Sequence, residues 1–118
     1  MDDLEFFIIT FYLYIFSVPP KIHSWERTLE VTAGDDMNII CEASGNPPPR
    51  VGWRKYETGK RVGGERVRLT NMTRGDGGLY VCTADNGVTE PVERITKVLV
   101  RRKNNRMFSF NTNPVTVF

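Results

Sequence analysis

The sequence predicts an all-β domain, a two-sheet sandwich over residues 21–101, and three observations predict it. From Leu29 onward, short runs alternate apolar and polar residues, the pattern of strands with one buried face. Clusters of Gly and Pro interrupt these runs at intervals of roughly ten residues, the turn spacing of a sandwich. The length of 118 residues suits one domain, and 40% apolar with 25% charged residues is a globular composition.

Charge divides the chain into three parts. Residues 1–20 carry three acids and no base, residues 21–101 carry 13 bases and 11 acids, and residues 102–118 carry three bases and no acid. The near-neutral middle is therefore read as the domain, the first 20 residues as a separate hydrophobic segment, and 102–118 as a basic, disordered tail. Phe6 to Phe16 (FFIITFYLYIF) is too short to cross a bilayer, which needs roughly 20 apolar residues. It has the length of a secretory signal's apolar region, but Asp2, Asp3 and Glu5 stand where such a signal carries positive charge. It reads as an atypical signal peptide, a reading-frame artefact, or a packed element, and is not expected to join the core. No other stretch is apolar and long enough to span.

Within the middle, each run separates cleanly into two faces. Met37, Ile39, Cys41 and Ala43 alternate with Asn38, Ile40 and Glu42, which puts Cys41 inward. Val51 and Trp53 face inward between Arg50, Gly52 and Arg54, and Val67 and Leu69 between Arg66, Arg68 and Thr70. Tyr80, Cys82 and Ala84 alternate with Val81 and Thr83. Asn86-Gly87 predicts a hairpin turn of positive φ. Ile95, Val98 and Val100 in the last strand break alternation by one residue, and a bulge is expected there.

Inward cysteines on two strands with an inward Trp between them in sequence resemble the Cys, Trp, Cys arrangement of an immunoglobulin domain. Gly45-Asn46-Pro47-Pro48-Pro49-Arg50-Val51-Gly52-Trp53 fits G-x-P-x-P-x-V-x-W, and Asp76-Gly77-Gly78-Leu79-Tyr80-Val81-Cys82 fits D-x-G-x-Y-x-C. Both are similar to the I-set class, whose Greek-key sandwich has one inter-sheet disulfide. The 13 residues from Arg54 to Arg66 are too few for the extra strand pair of variable-type domains. The resemblance implies a Cys41 to Cys82 bond worth about 4 kcal/mol by chain entropy, useful in so thin a core. It implies Trp53 packed on the sulfurs, Tyr80 hydrogen-bonded to backbone before its strand, and Asp76 paired with an Arg, for which Arg66 is the candidate. Val18-Pro19-Pro20-Lys21-Ile22, the Gly63-Gly64 turn and YVCTADNGVTEP from Tyr80 to Pro91 further resemble domains of lachesin and IgLON-type neural cell-adhesion proteins.

The resemblance implies an extracellular, cell-surface recognition module that binds other proteins, homophilically or heterophilically, and does no catalysis. Arg54, Tyr56, Val81, Thr83 and Leu99 should face outward on the sheet that carries Trp53 and Cys82, as a binding face or as scattered single residues. Asn71-Met72-Thr73 is a glycosylation sequon, with Asn71 expected to face solvent. Arg74-Gly75-Asp76 spells an integrin-type tripeptide, but Asp76 is expected to be engaged within the fold. His23 has no nucleophile and orienting partner in sequence, so no active site is expected. Composition gives no nucleic-acid footprint, and one His with two Cys leaves no metal or cofactor site. The tail shows neither a span nor a lipid-anchor pattern, so no membrane attachment is expected in this chain. Two other readings remain: an intracellular structural module of a muscle-filament protein, with reduced thiols, or part of a receptor-kinase ectodomain.

Overall fold

The computed structural model describes residues 2–103, and the expected disordered tail falls mostly outside them. One helix, α1 (Asp3–Ile15), precedes nine strands: β1 (Val18–Ser24), β2 (Thr28–Thr32), β3 (Met37–Ile40), β4 (Glu42–Asn46), β5 (Arg50–Lys55), β6 (Arg61–Gly63), β7 (Arg66–Leu69), β8 (Gly78–Asp85) and β9 (Val92–Arg101). The larger sheet has the order β2-β9-β8-β5-β6. Facing it are two antiparallel ladders, β1 with β4 and β3 with β7, joined because β3 and β4 are one strand interrupted at Cys41.

Alternation explains the core. Ile22, Ile39, Cys41, Trp53, Val67, Met72, Tyr80, Cys82, Ala84 and Val98 form one buried cluster between the layers. A disulfide joins Cys41 to Cys82 with Cα atoms 6.5 Å apart, a separation that bridged cysteines ordinarily have. Trp53 lies opposite Cys82 in the β5–β8 ladder, 1% exposed, and its indole N–H donates to the Glu65 carbonyl at 3.3 Å. The larger sheet's outer strand β2 runs parallel to β9, residue for residue from Thr28↔Lys97 to Thr32↔Arg101.

In strand layout, the structure departs from the sequence reading at three places. The sheet begins at Val18, three residues inside the segment assigned to the non-domain N-terminus. Pro19 and Pro20 are tolerated because β1 lies at a sheet edge, where a missing N–H breaks no ladder. The expected bulge in β9 is absent, since its register with β8 runs without a shift from Gly78↔Val98 to Ala84↔Val92. Thr96 takes the core-facing slot instead, fully buried, with its hydroxyl donating to the Glu26 carbonyl at 2.5 Å, and Ile95 turns outward. The link from β8 to β9 spans residues 86–91 and is not a two-residue turn; Gly87 has φ +79, but Asn86 does not have positive φ.

Helix α1 has no polar face. Leu4, Phe6, Phe7, Ile8, Ile9 and Phe11 are all at least 46% exposed, and none belongs to the core cluster. Its 13 residues measure about 20 Å at 1.5 Å each. No helix among the described residues is long and apolar enough to cross a membrane.

Candidate protein-recognition face

The outward face of the larger sheet gathers the five residues that the sequence suggested as a binding face. In one cross-strand row, Val81 of β8 sits between Arg54 of β5 and Ile95 of β9; in the next, Thr83 sits between Gly52 and Glu93. Arg54 donates to the Thr83 hydroxyl at 2.7 Å and to the Glu93 carboxylate at 3.0 Å, so the two rows are tied by one guanidinium. Tyr56, just past β5 at the alternation position of Arg54, is 58% exposed, Ile95 48% and Leu99 37%. Of the exposed large apolar residues on the sandwich, only Val18 lies elsewhere.

Val81 requires a correction. It points outward by alternation, yet it is 1% exposed, and it stands outside the main core cluster. Flanked by Arg54 and Ile95 in the ladder, it forms a buried floor under the face and is not a contact residue. Ile95 is the exposed apolar residue of this face that hydropathy missed, because three apolar residues in β9 suggested a bulge. Thr96 was the available signal: reading Thr as a core residue restores parity along the strand.

The turn before β8 requires another. Asp76 closes a 3-10 turn over Arg74–Asp76, and its carboxylate accepts from the Thr73 backbone N–H at 2.8 Å and the Thr73 hydroxyl at 2.9 Å. The backbone hydrogen bond, ahead of the hydroxyl and the nearby Lys55 charge, holds its pKa below the ordinary value. Arg66 does not reach it. Arg66 opens β7 while the turn follows that strand's far end, and its guanidinium pairs with Glu42 at 2.9 Å. The cation beside the turn is Lys55, whose ammonium donates to the Gly75 carbonyl at 2.5 Å. Tyr80 donates its hydroxyl to the Asp76 carbonyl at 2.5 Å, and burial, then the charges of Asp76 and Glu57, raise its pKa.

Asn71 is exposed, with φ +46, and its backbone N–H donates to Asp36 at 2.9 Å. His23 lies against the Ser44 hydroxyl across the β1–β4 ladder, on an exposed surface and with no third group to orient the imidazole among the described contacts. Among the described residues no His, Cys, Asp or Glu cluster could hold a metal. Sequence marked Asn86 only as a turn residue, yet its amide donates to the carbonyls of Val18 (2.8 Å) and Pro47 (2.9 Å), fastening three segments at one pole. Gly45 makes room, since a Cβ there would stand 2.9 Å from that amide.

Comparison with known proteins places this geometry. The immunoglobulin domain family model matches residues 19–86. IgLON family member 5 of Homo sapiens is 35% identical over 74 residues, covering 63% of this chain and 22% of that protein. The limbic system-associated membrane protein of Gallus gallus is 34% identical over 89 residues, covering 73% of this chain and 26% of that protein. This chain therefore spans a minor part of either relative. Among solved structures, the complex of Dpr11 IG1 with DIP-gamma IG+IG2 aligns with a TM-score of 0.67 at 31% identity, over 72% of this chain and 49% of that one.

Proposed function

The chain belongs to the immunoglobulin domain family, and on that premise we propose that it is an extracellular recognition module of a cell-adhesion or cell-surface protein. It binds other proteins through the outward face of the larger sheet and carries out no chemistry. The observation that carries this reading is the concentration of Tyr56, Ile95 and Leu99 on one face, above a dry Val81 and beside charged side chains. Apolar anchors with a polar surround are the composition of a protein contact. The solved Dpr11 complex, in which one such domain is bound to another protein's domains, supports it by likeness. Asn71 carries a glycan in this reading, since it is exposed within a sequon.

Expression in a secretory host and coupling to beads tests it, with intact mass before and after glycosidase reporting the Asn71 glycan. Beads bearing the chain are mixed with one another and with beads bearing human IgLON family member 5. Leu99→Arg and Ile95→Arg should abolish aggregation, because a charge in a desolvated contact centre costs about 2 kcal/mol or more. Their melting should stay near wild type, since exposed substitutions change stability by about 0.5 kcal/mol. Arg66→Ala, on the opposite face, is the control. Aggregation by all variants alike, or by none including wild type, would mean a spacer.

A further inference from the structure

We propose that the groove between β5, β6 and β8 takes a carboxylate-bearing segment of a protein partner other than a second copy of this chain. The inference rests on the recognition reading above and names the partner's chemistry.

The groove holds about 530 Å³, and its charged lining is Arg50, Arg54, Arg61 and Asp85. Three guanidiniums thus face one carboxylate. Arg54 is already engaged by Glu93, and Asp85 accepts the Gly87 backbone N–H at 3.0 Å. Among the described residues, neither Arg50 nor Arg61 forms an ion pair. Arg61 is also laid down in advance. A Cβ on Gly52 would stand 2.9, 3.0 and 3.1 Å from its Nη1, Nη2 and Cζ, near-equal distances that place the guanidinium flat on the bare backbone of β5. A guanidinium held flat on a strand presents its fork with less freedom left to lose, and a carboxylate matches that fork with two parallel hydrogen bonds.

The same charges argue against the other occupants. A two-fold pairing of two copies through this groove would set it against itself, opposing unpaired guanidiniums. A sulfated polysaccharide needs a continuous basic stripe, which Asp85 and Glu93 interrupt. Ile95 and Leu99 on the same face instead suit a protein surface with acidic and apolar groups side by side.

The test is an NMR titration of the folded, isotope-labelled chain with acetyl-Asp-Tyr-Glu-amide, its neutral acetyl-Asn-Tyr-Gln-amide counterpart, and a heparin tetrasaccharide. The acidic peptide should shift the Gly52 amide and the Arg61 Nε–H in a saturable way. Binding should weaken about tenfold for the neutral peptide and in Arg61→Ala, as loss of one charge-assisted contact implies. No saturable shift, equal shifts from both peptides, a shift only with the tetrasaccharide, or unchanged binding in Arg61→Ala would overturn it. So would sedimentation as a dimer that Arg61→Glu dissolves. Aggregation with beads bearing human IgLON family member 5, as distinct from self-aggregation, keeps the two readings apart: sensitivity to Leu99→Arg with indifference to Arg61→Glu retires the groove and keeps the face, whereas indifference to both retires the face.

Discussion

The two outward faces of the sandwich both carry arginines, but they use them differently. On the β3, β4 and β7 side, Arg66 pairs with Glu42 at 2.9 Å and Arg68 with Asp36 at 2.8 Å, and the second Asp36 oxygen accepts the Asn71 N–H. On the β5, β8 and β9 side, Arg54 pairs with Glu93 and Arg101 with Glu30, while among the described residues Arg50 and Arg61 form no ion pair and three apolar side chains are exposed nearby. A partner docking on the first face must strip water from ion pairs that gain nothing new. On the second it covers apolar surface and can satisfy cations still in want of an anion. Charge count does not separate these faces; pairing does.

The most severe way to break the comparison removes what both faces share. Replacing Cys41 and Cys82 by Ala should cost about 4 kcal/mol by the chain-entropy estimate, a fall in melting temperature of about 16 to 32 °C for a domain of this size. Thermal melts followed by circular dichroism check this, and both faces should be lost in one transition. Next comes Val81→Arg, which forces a charge into the dry floor of one face only and should cost about 3 kcal/mol. A melting temperature near wild type would show that Val81 is an ordinary surface residue and that the face has no floor.

The smallest effect belongs to the other face. Asp36 has its pKa lowered, first by the Asn71 N–H and then by Arg68, so its contribution is present above the ordinary carboxylate range and is lost as pH falls through the lowered value. Asp36→Asn should therefore flatten the acid limb of the stability curve below pH about 4 and leave binding by the opposite face intact. Melts taken across that range decide it. An unchanged limb would assign the acid dependence to Asp76, whose pKa is lowered in the same direction by Thr73.

Sequence reading reached the sandwich because it is written locally, in period-two alternation, and reached the disulfide through the resemblance that the Cys, Trp, Cys arrangement carries. It failed where a side chain's surroundings come from distant segments. Val81 and Leu99 look alike as outward apolar residues, and only the packing of three neighbouring strands buries one and leaves the other open. Thr96 hid in a core slot because its polar group is satisfied by Glu26, 70 residues away in sequence. Arg66 was matched to Asp76 on the family resemblance, but strand direction sends it to Glu42, and Lys55 arrives from the opposite sheet. The flat seat that Gly52 gives Arg61 has no sequence signature beyond a glycine in a strand.

The parallel run of β2 beside β9 has a mechanical meaning. The chain enters this pair at Thr28 and leaves it at Arg101, so tension between the segments before and after the domain drags the two strands in opposite senses along their own axes. All five register pairs, with the flanking bonds from Lys97 N–H to the Arg27 carbonyl and from Ala33 N–H to the Arg101 carbonyl, both 2.8 Å, then resist together and do not peel one by one. Shear of this kind leaves the neighbouring β8 and β5 surface undistorted until the whole seam slips, so the outward face of the larger sheet keeps its shape under load.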